Sequence, residues 1–297
     1  MAWNGRNFVD IRDLDRNDLL SLLSRASAYR DREPVVDPGG PLAGAVIANL
    51  FFENSTRTRC SFTMATKRLG GDVLDLLGST SSTSKGETIL DTARNVAAMG
   101  VRCLVIRCSQ DGGPAMIAKA LDTPVINAGD GVSGHPTQAM LDALALIRFF
   151  GADSLDGRKI AIVGDIAHSR VARSNMVSLP TLGAEVALVG PEDLLPKTTD
   201  LETFTDLDAA LPGCDAVIML RVQFERDATI NDDYRDQFAL TRDRMSTFDG
   251  VVLHPGPMNR GLEIDDAVAD GKRSLVLEQV ACGVAVRMAI LEHIVRT

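Results

Sequence analysis

The chain is poor in aromatic side chains, which make up 4% of its 297 residues, with a single Trp. Aliphatic residues must therefore fill the core, and a hydrophobic content of 45% supplies enough of them to fold without staples. Cysteine is also sparse. Cys60, Cys103, Cys108, Cys214 and Cys282 are odd in number and form no C-x-x-C. A disulfide framework and a zinc site are both disfavoured, and thiols in a reducing cytoplasm are the plain reading. No run of 18 apolar residues occurs, and the first residues carry no apolar signal core, so neither a membrane span nor secretion is expected. Positive charge is in deficit: 31 Lys and Arg stand against 40 Asp and Glu, a net charge of −9. Such a surface binds nucleic acid poorly, and any anionic substrate must be met by cations gathered locally. Repeats, low-complexity tracts, a Walker P-loop and a G-x-G-x-x-G fingerprint are all missing from the sequence.

What is present is alternation. Short apolar runs are separated by amphipathic stretches, which predicts an α/β fold with mainly parallel sheets. Strands are expected over residues 45–52, 72–76, 102–107 and 124–127, with helices over 55–69, 87–99 and 136–150. Residues 78–86, rich in Ser, Thr and Gly, read as a loop. The second half repeats the pattern, with strands over 159–164, 185–189, 215–220 and 250–253 and a helix over 170–182. Gly, Asp and Ser over 151–157 mark a domain boundary. Two doubly wound domains result, residues 1–150 and 151–277, with a last helix over about 278–297 packing back on the first. In such sheets ligands bind beyond the carboxyl ends of the strands. The chemically informative segments all fall there.

Ser55-Thr56-Arg57-Thr58-Arg59 follows a strand and opens a helix. Three hydroxyls, unsatisfied backbone N–H groups and the positive end of a helix dipole converge on one point, beside a guanidinium fork suited to phosphate. An ordinary N-cap with surface arginines would look the same. Arg107 ends the strand 102–107, either to reach an anion or as a solvated charge. His135-Pro136-Thr137-Gln138 opens the next helix. There His135 is placed to donate to a carbonyl oxygen or merely to cap, and Gln138 to bond an amide. Ser81-Ser82-Thr83-Ser84-Lys85-Gly86-Glu87 is a loop with one cation. Gly164-Asp165-Ile166-Ala167-His168-Ser169-Arg170 sets Arg170 at a helix start, the wrong end of the dipole for a cation unless an anion joins it. Arg221-Val222-Gln223 follows the strand 215–220 and offers a partner cation, with surface salt bridges as the alternative. His254-Pro255-Gly256-Pro257 is a rigid loop able to present backbone carbonyls to an amide, or simply a turn.

Taken together, and in this order from residue 51 to residue 261, these segments resemble the aspartate/ornithine carbamoyltransferase family. Ser-Thr-Arg-Thr-Arg at 55–59 and His-Pro-x-Gln at 135–138 are shared by both branches. Ser84-Lys85-Gly86-Glu87, Arg221-Val222-Gln223-x-Glu225-Arg226 and His254-Pro255-Gly256-Pro257 point to the aspartate branch. An ornithine enzyme would show a Ser-Met-Gly loop and a His-Cys-Leu-Pro segment, and neither occurs. The resemblance implies transfer of a carbamoyl group from carbamoyl phosphate to L-aspartate, the committed step of pyrimidine biosynthesis, without metal or organic cofactor. By it, Ser55, Thr56, Arg57 and Thr58 hold the phosphate, and Arg107 bridges phosphate and carbonyl. Thr58, Arg107 and His135 face the carbonyl oxygen as the catalytic groups. Gln138 and the loop Pro255-Gly256-Pro257 take the carbamoyl amide. Arg170, Arg221 and Gln223 hold the aspartate carboxylates. The family forms a homotrimer with shared sites, so Ser81 and Lys85 would enter a neighbour's site, Lys85 on aspartate. Regulatory chains or a dihydroorotase as further partners stay open. The competing readings are a carbamoyltransferase for another amine such as ornithine, a non-catalytic assembly partner, and a dehydrogenase, the last weakened by the missing glycine fingerprint.

Overall fold

Apolar runs in the first half become four strands: β1 (Val46–Phe51), β2 (Asp72–Leu77), β3 (Cys103–Cys108) and β4 (Val125–Asp130). The computed structural model describes residues 5–77, 86–223, 230–231 and 233–296. The four strands pair in the order β2-β1-β3-β4, and every pairing is parallel. Residues 47–51 of β1 are all buried, because helices cover both faces of a parallel sheet and leave no polar-out alternation. Edge strand β2 is only partly buried, with Asp72 and Asp75 exposed. α1 (Arg16–Arg30) precedes β1, α2 (Thr56–Arg68), α3 (Ile89–Ala98) and α4 (Gly113–Ala120) run between the strands, and α5 (Pro136–Phe150) follows β4. α2 packs on β1 and β2, and α3 and α4 pack on β3. Ala48, Leu50, Leu104, Ile106, Ile117 and Val125 form the core between these layers. Full burial of each large aliphatic among them contributes about 1.5–3 kcal/mol.

The second half is built alike. β5 (Lys159–Val163), β6 (Glu185–Val189), β7 (Glu202–Phe204), β8 (Ala216–Met219) and β9 (Val251–Leu253) pair in the order β7-β6-β5-β8-β9, again all parallel. With them come α6 (Arg170–Thr181) and the short helices α7 (Leu207–Ala210), α8 (Tyr234–Phe238), α9 (Arg244–Thr247) and α10 (Asp266–Ala269). Its core joins Ala161, Val163, Val217, Met219 and Val252 to Tyr234 and Phe238. The chain ends with α11 (Val276–Arg296).

Two compact units result: residues 1–144 with 280–297, and residues 145–279. The divisions fall inside α5 and α11. In each unit the chain leaves one strand, pairs outward, then crosses back to the other side of that first strand. The reversal lies between β1 and β3 in one unit and between β5 and β8 in the other. Such a switch point opens a crevice at the carboxyl ends of two adjacent strands, because their outgoing connections run to opposite faces.

The short helices α7 to α10 were not expected, nor were α1, α4 and β7. α1 buries Leu19, Leu22, Leu23, Ala26 and Tyr29 at helical spacing and starts on a capping box from Asp15 and Asp18. α4 follows Gly112 at φ 69° and carries Pro114 in its first turn, so Gly112-Gly113-Pro114 reads locally as a turn. β7 is three residues long and lies at the sheet edge, too short for periodicity to register.

Candidate active site

The first switch point brings three of the expected segments together. Phe51 at the end of β1 lies opposite Arg107 on β3, and the Phe52 N–H donates to the Arg107 carbonyl at 2.8 Å. Three residues later Ser55 caps α2 with φ −159°, and its hydroxyl makes no capping bond. No acidic residue stands in the first turn of α2. Its unsatisfied N–H groups and the positive end of its dipole are therefore left unneutralised, which suits an anion. Thr56 and Arg57 are exposed, and Thr58 is buried one turn in.

Arg107 is held as a fork. Its Nη1 donates to the Ala128 carbonyl at 3.3 Å, and its Nε stands 3.5 Å from a Glu53 carboxylate oxygen. Only 13% of the side chain is exposed, so its charge acts with little water screening. β4, the next strand, leads through residues 131–134 to His135, whose carbonyl accepts from the N–H groups of Gln138 and Ala139 at 2.9 and 3.2 Å. This turn starts α5 at Pro136 and buries both His135 and Gln138. Gln138 Nε2 donates to Asp142 at 2.8 Å. Cations, hydroxyls, an imidazole and an amide are thus carried by the exits of β1, β3 and β4, neighbours in the sheet.

In the second unit, Gly164 directly follows β5 at φ 120°, and a Cβ there would stand 2.8 Å from the Leu220 carbonyl. Only glycine allows this strand to leave so close to its neighbour β8. Asp165 then ties the two exits together. One of its oxygens accepts from the His168 backbone N–H at 3.2 Å and lies 2.8 Å from His168 Nδ1. The other accepts from the Gln223 N–H at 3.2 Å, and Gln223 Nε2 donates to the His168 carbonyl at 2.9 Å. Segments 164–170 and 221–223 therefore form one braced surface. Arg170 is the first residue of α6, is buried, and has no acid in its helical turn. Arg221 leaves the neighbouring strand half-buried.

The exit of β9 is shaped by a buried pair. His254 Nδ1 accepts from the Gly256 N–H at 2.9 Å, which leaves the ring proton on Nε2, 3.2 Å from a Glu263 oxygen. The same oxygen accepts from the Asn259 N–H at 2.5 Å. Both side chains are fully buried. The pair fixes the loop Pro255-Gly256-Pro257 at both ends, with Gly256 at φ 66°.

Ser55, Thr56, Arg57, Thr58 and Arg107 thus lie at the switch point of one unit, and His135 and Gln138 follow β4, the neighbour of β3. Arg170, Arg221 and Gln223 lie at the switch point of the other, and Pro255, Gly256 and Pro257 follow β9, the neighbour of β8. Ser81 and Lys85 lie outside the described residues. Sequence reasoning passed over Glu53, Asp142, Glu263 and Arg287, and left the bracing by Asp165 unremarked. Asp142 was within reach, one helical turn after Gln138. Arg287 was not, since only the fold brings α11 to Thr137, whose hydroxyl accepts from Arg287 Nη2 at 3.3 Å. Burial pushes Arg287 down to about 9, the charge of Arg107 adds to this, and Asp142 opposes it. Arg287 therefore keeps its proton at neutral pH. Among the described residues no cluster of three metal-ligating side chains occurs, and no helix is long and apolar enough to cross a membrane.

Comparison with known proteins gives matches over nearly the whole chain. Residues 6–148 match the family model of the aspartate/ornithine carbamoyltransferase carbamoyl-P binding domain, and residues 156–294 match that of the Asp/Orn binding domain. The aspartate carbamoyltransferase catalytic subunit of Myxococcus xanthus is 50% identical, over 97% of this chain and 98% of its own. The structure of aspartate transcarbamoylase from Trypanosoma cruzi in complex with carbamoyl aspartate and phosphate superposes with a TM-score of 0.86 at 29% identity, covering 98% of this chain and 96% of that one. Ornithine carbamoyltransferase from Gloeobacter violaceus superposes at 0.81 and 28%, covering 97% of this chain and 98% of that one.

Proposed function

This chain belongs to the aspartate/ornithine carbamoyltransferase family, and we propose that it is an aspartate carbamoyltransferase, forming N-carbamoyl-L-aspartate and phosphate from carbamoyl phosphate and L-aspartate. The observation that carries this reading is the pair of switch points, each furnished with guanidinium groups in a protein of net charge −9. One substrate brings about two negative charges on its phosphate, and the other brings two carboxylates. An acidic protein attracts such ligands only by concentrating its cations locally. A second carboxylate clamp also suits aspartate over ornithine, whose side chain ends in a cation.

In this reading the first turn of α2 holds the phosphate through Ser55, Thr56, Arg57 and Thr58. Arg107 reaches both phosphate and carbonyl oxygen. The carbonyl oxygen is met by Thr58, Arg107 and His135, the carbamoyl NH2 by Gln138 and by carbonyls of the 255–257 loop. Arg170, Arg221 and Gln223 take the carboxylates of aspartate. The neutral amine adds to the carbamoyl carbon, and its C–N bond forms as charge grows on the oxygen. Each donor to that oxygen contributes roughly 3–4 kcal/mol to the transition state. The C–O bond to phosphate then breaks, and the departing phosphate accepts the amine's proton. Holding both substrates in attack geometry lowers the barrier by about 7–11 kcal/mol more. Carbamoyl phosphate is already activated, so alignment and charge stabilisation suffice, and neither metal nor organic cofactor is called for.

The same reading makes the protein cytoplasmic, a step of pyrimidine synthesis, and a homotrimer whose Ser81 and Lys85 serve a neighbour's site. The test is a colorimetric ureido assay with aspartate and ornithine side by side. Product with aspartate and at least about a hundredfold less with ornithine is expected. Equal or greater turnover of ornithine would overturn the assignment of the acceptor.

A further inference from the structure

Gln138 and Asp142 lie one turn apart on α5, and both are buried. Gln138 Nε2 donates to Asp142 Oδ1 at 2.8 Å. An amide can present either of its ends, NH2 or carbonyl, to a neighbour. An ionised carboxylate has no proton to give, so only the NH2 end can face it. The Gln138 carbonyl oxygen must then face the other way, as an acceptor. Asp142 is 0% exposed, and a charge so placed is costly unless a cation answers it. Arg287 answers it electrostatically from α11. That guanidinium is itself clamped, by donation to the Gly283 carbonyl at 3.0 Å and to the Thr137 hydroxyl at 3.3 Å, and by stacking 5.0 Å over the Phe62 ring. The helix turn carrying Thr137 and Gln138 is thus held from two sides by opposite charges inside the core. A leucine at either position would avoid the desolvation cost, so this arrangement needs a role beyond packing.

We propose that Asp142 is the positioning residue that locks the Gln138 amide with its oxygen outward, so that the site selects an acyl phosphate bearing NH2 over one bearing methyl. This rests on the carbamoyl phosphate reading of the site and deepens it. The carbamoyl group donates from its NH2 to the Gln138 oxygen. The methyl of acetyl phosphate has no polar N–H or O–H to donate and leaves that buried oxygen unsatisfied. Were Asp142 uncharged, the Gln138 amide would be released to turn its NH2 inward, and the distinction would fade.

The experiment compares three ligands on the intact protein and on Asp142→Asn: carbamoyl phosphate through its KM, and acetyl phosphate and inorganic phosphate through their inhibition constants. In the variant the KM for carbamoyl phosphate is expected to rise about tenfold, while the other two constants move less than about twofold. A purely structural defect would weaken all three together, because all share the phosphate cradle, and that result overturns the proposal. So does an unchanged preference for carbamoyl over acetyl phosphate. If Asp142→Asn does not fold, the double variant Asp142→Leu/Arg287→Met removes both buried charges at once and must show the same selective loss. Wild-type protein that makes no ureido product from carbamoyl phosphate and aspartate overturns the catalytic reading, and this inference with it. Wild-type protein that turns over while the variants keep full discrimination removes Asp142 alone.

Discussion

Replacing Arg107 with alanine is expected to lower kcat about a thousandfold and to leave the chain folded. A single oxyanion donor is worth roughly a hundred- to a thousandfold in rate. Arg107 stands at the upper end because it is cationic and little exposed, and because in the proposed mechanism it serves the carbonyl oxygen and the phosphate together. The fold should survive. The residue sits near the end of β3, its backbone carbonyl keeps the bond from Phe52, and its side-chain partners are Glu53 in a loop and the Ala128 backbone carbonyl in β4. Arg107→Lys should recover only part of the loss, since a point charge cannot reproduce the planar fork. Steady-state kinetics at saturating aspartate give the answer. A loss confined to KM for carbamoyl phosphate, with kcat intact, would mean that Arg107 only binds. The same variant probes the proposed trimer. Mixing inactive Arg107→Ala subunits with inactive Lys85→Ala subunits should regain activity, because some sites then draw an intact half from each. Hybrids that stay inactive would speak against sharing.

Arg221→Ala should raise the KM for aspartate by about a hundred- to a thousandfold and leave carbamoyl phosphate affinity within about twofold. A charge-assisted bond to a carboxylate is worth about 1.5–3 kcal/mol, and a bidentate pair more. Arg221 is the better probe than Arg170, which is buried at the start of α6 and would cost stability as well. Arg221 is half-buried beyond β8, on a surface that Asp165 and Gln223 brace. Phosphate binding is assigned to the other unit, so the two affinities should separate. Equal weakening of both substrates would show that Arg221 acts through folding or through the whole protein's charge.

The parallel sheets were legible because buried strands such as 45–52, 102–107 and 159–164 are unbroken aliphatic runs between turn residues, and the helices between them keep a 3.6-residue period. Their ends shifted by one to three residues in the structure, by one at β1 and by three at the end of β4. α4 was hidden by its own entry sequence, since Gly112-Gly113-Pro114 carries turn chemistry, and α1 lay in a stretch left unread. Legibility of the candidate site followed from chemistry that does not need a fold to recognise it: hydroxyls at a helix start, an arginine ending a strand, a histidine before a proline. The supporting groups were not legible in this way. Glu263 reaches His254 through the fold of the loop between them, Arg287 reaches Thr137 only after the chain has returned from far away, and neither residue type hints at its partner. Asp142 is the exception, carrying a local signal in its spacing from Gln138.

The central claim is that residues 55–58 with Arg107 bind the phosphate of one substrate and that Arg170 with Arg221 bind the carboxylates of the other. N-(phosphonacetyl)-L-aspartic acid, a ligand of the Trypanosoma cruzi relative, joins a phosphonate to aspartate in one molecule. Titrated calorimetrically into this protein, it should bind far more tightly than phosphate or aspartate alone, and lose that advantage in both Arg57→Ala and Arg221→Ala. Affinity no better than that of the separate halves, or a loss in only one of the two variants, would contradict the claim.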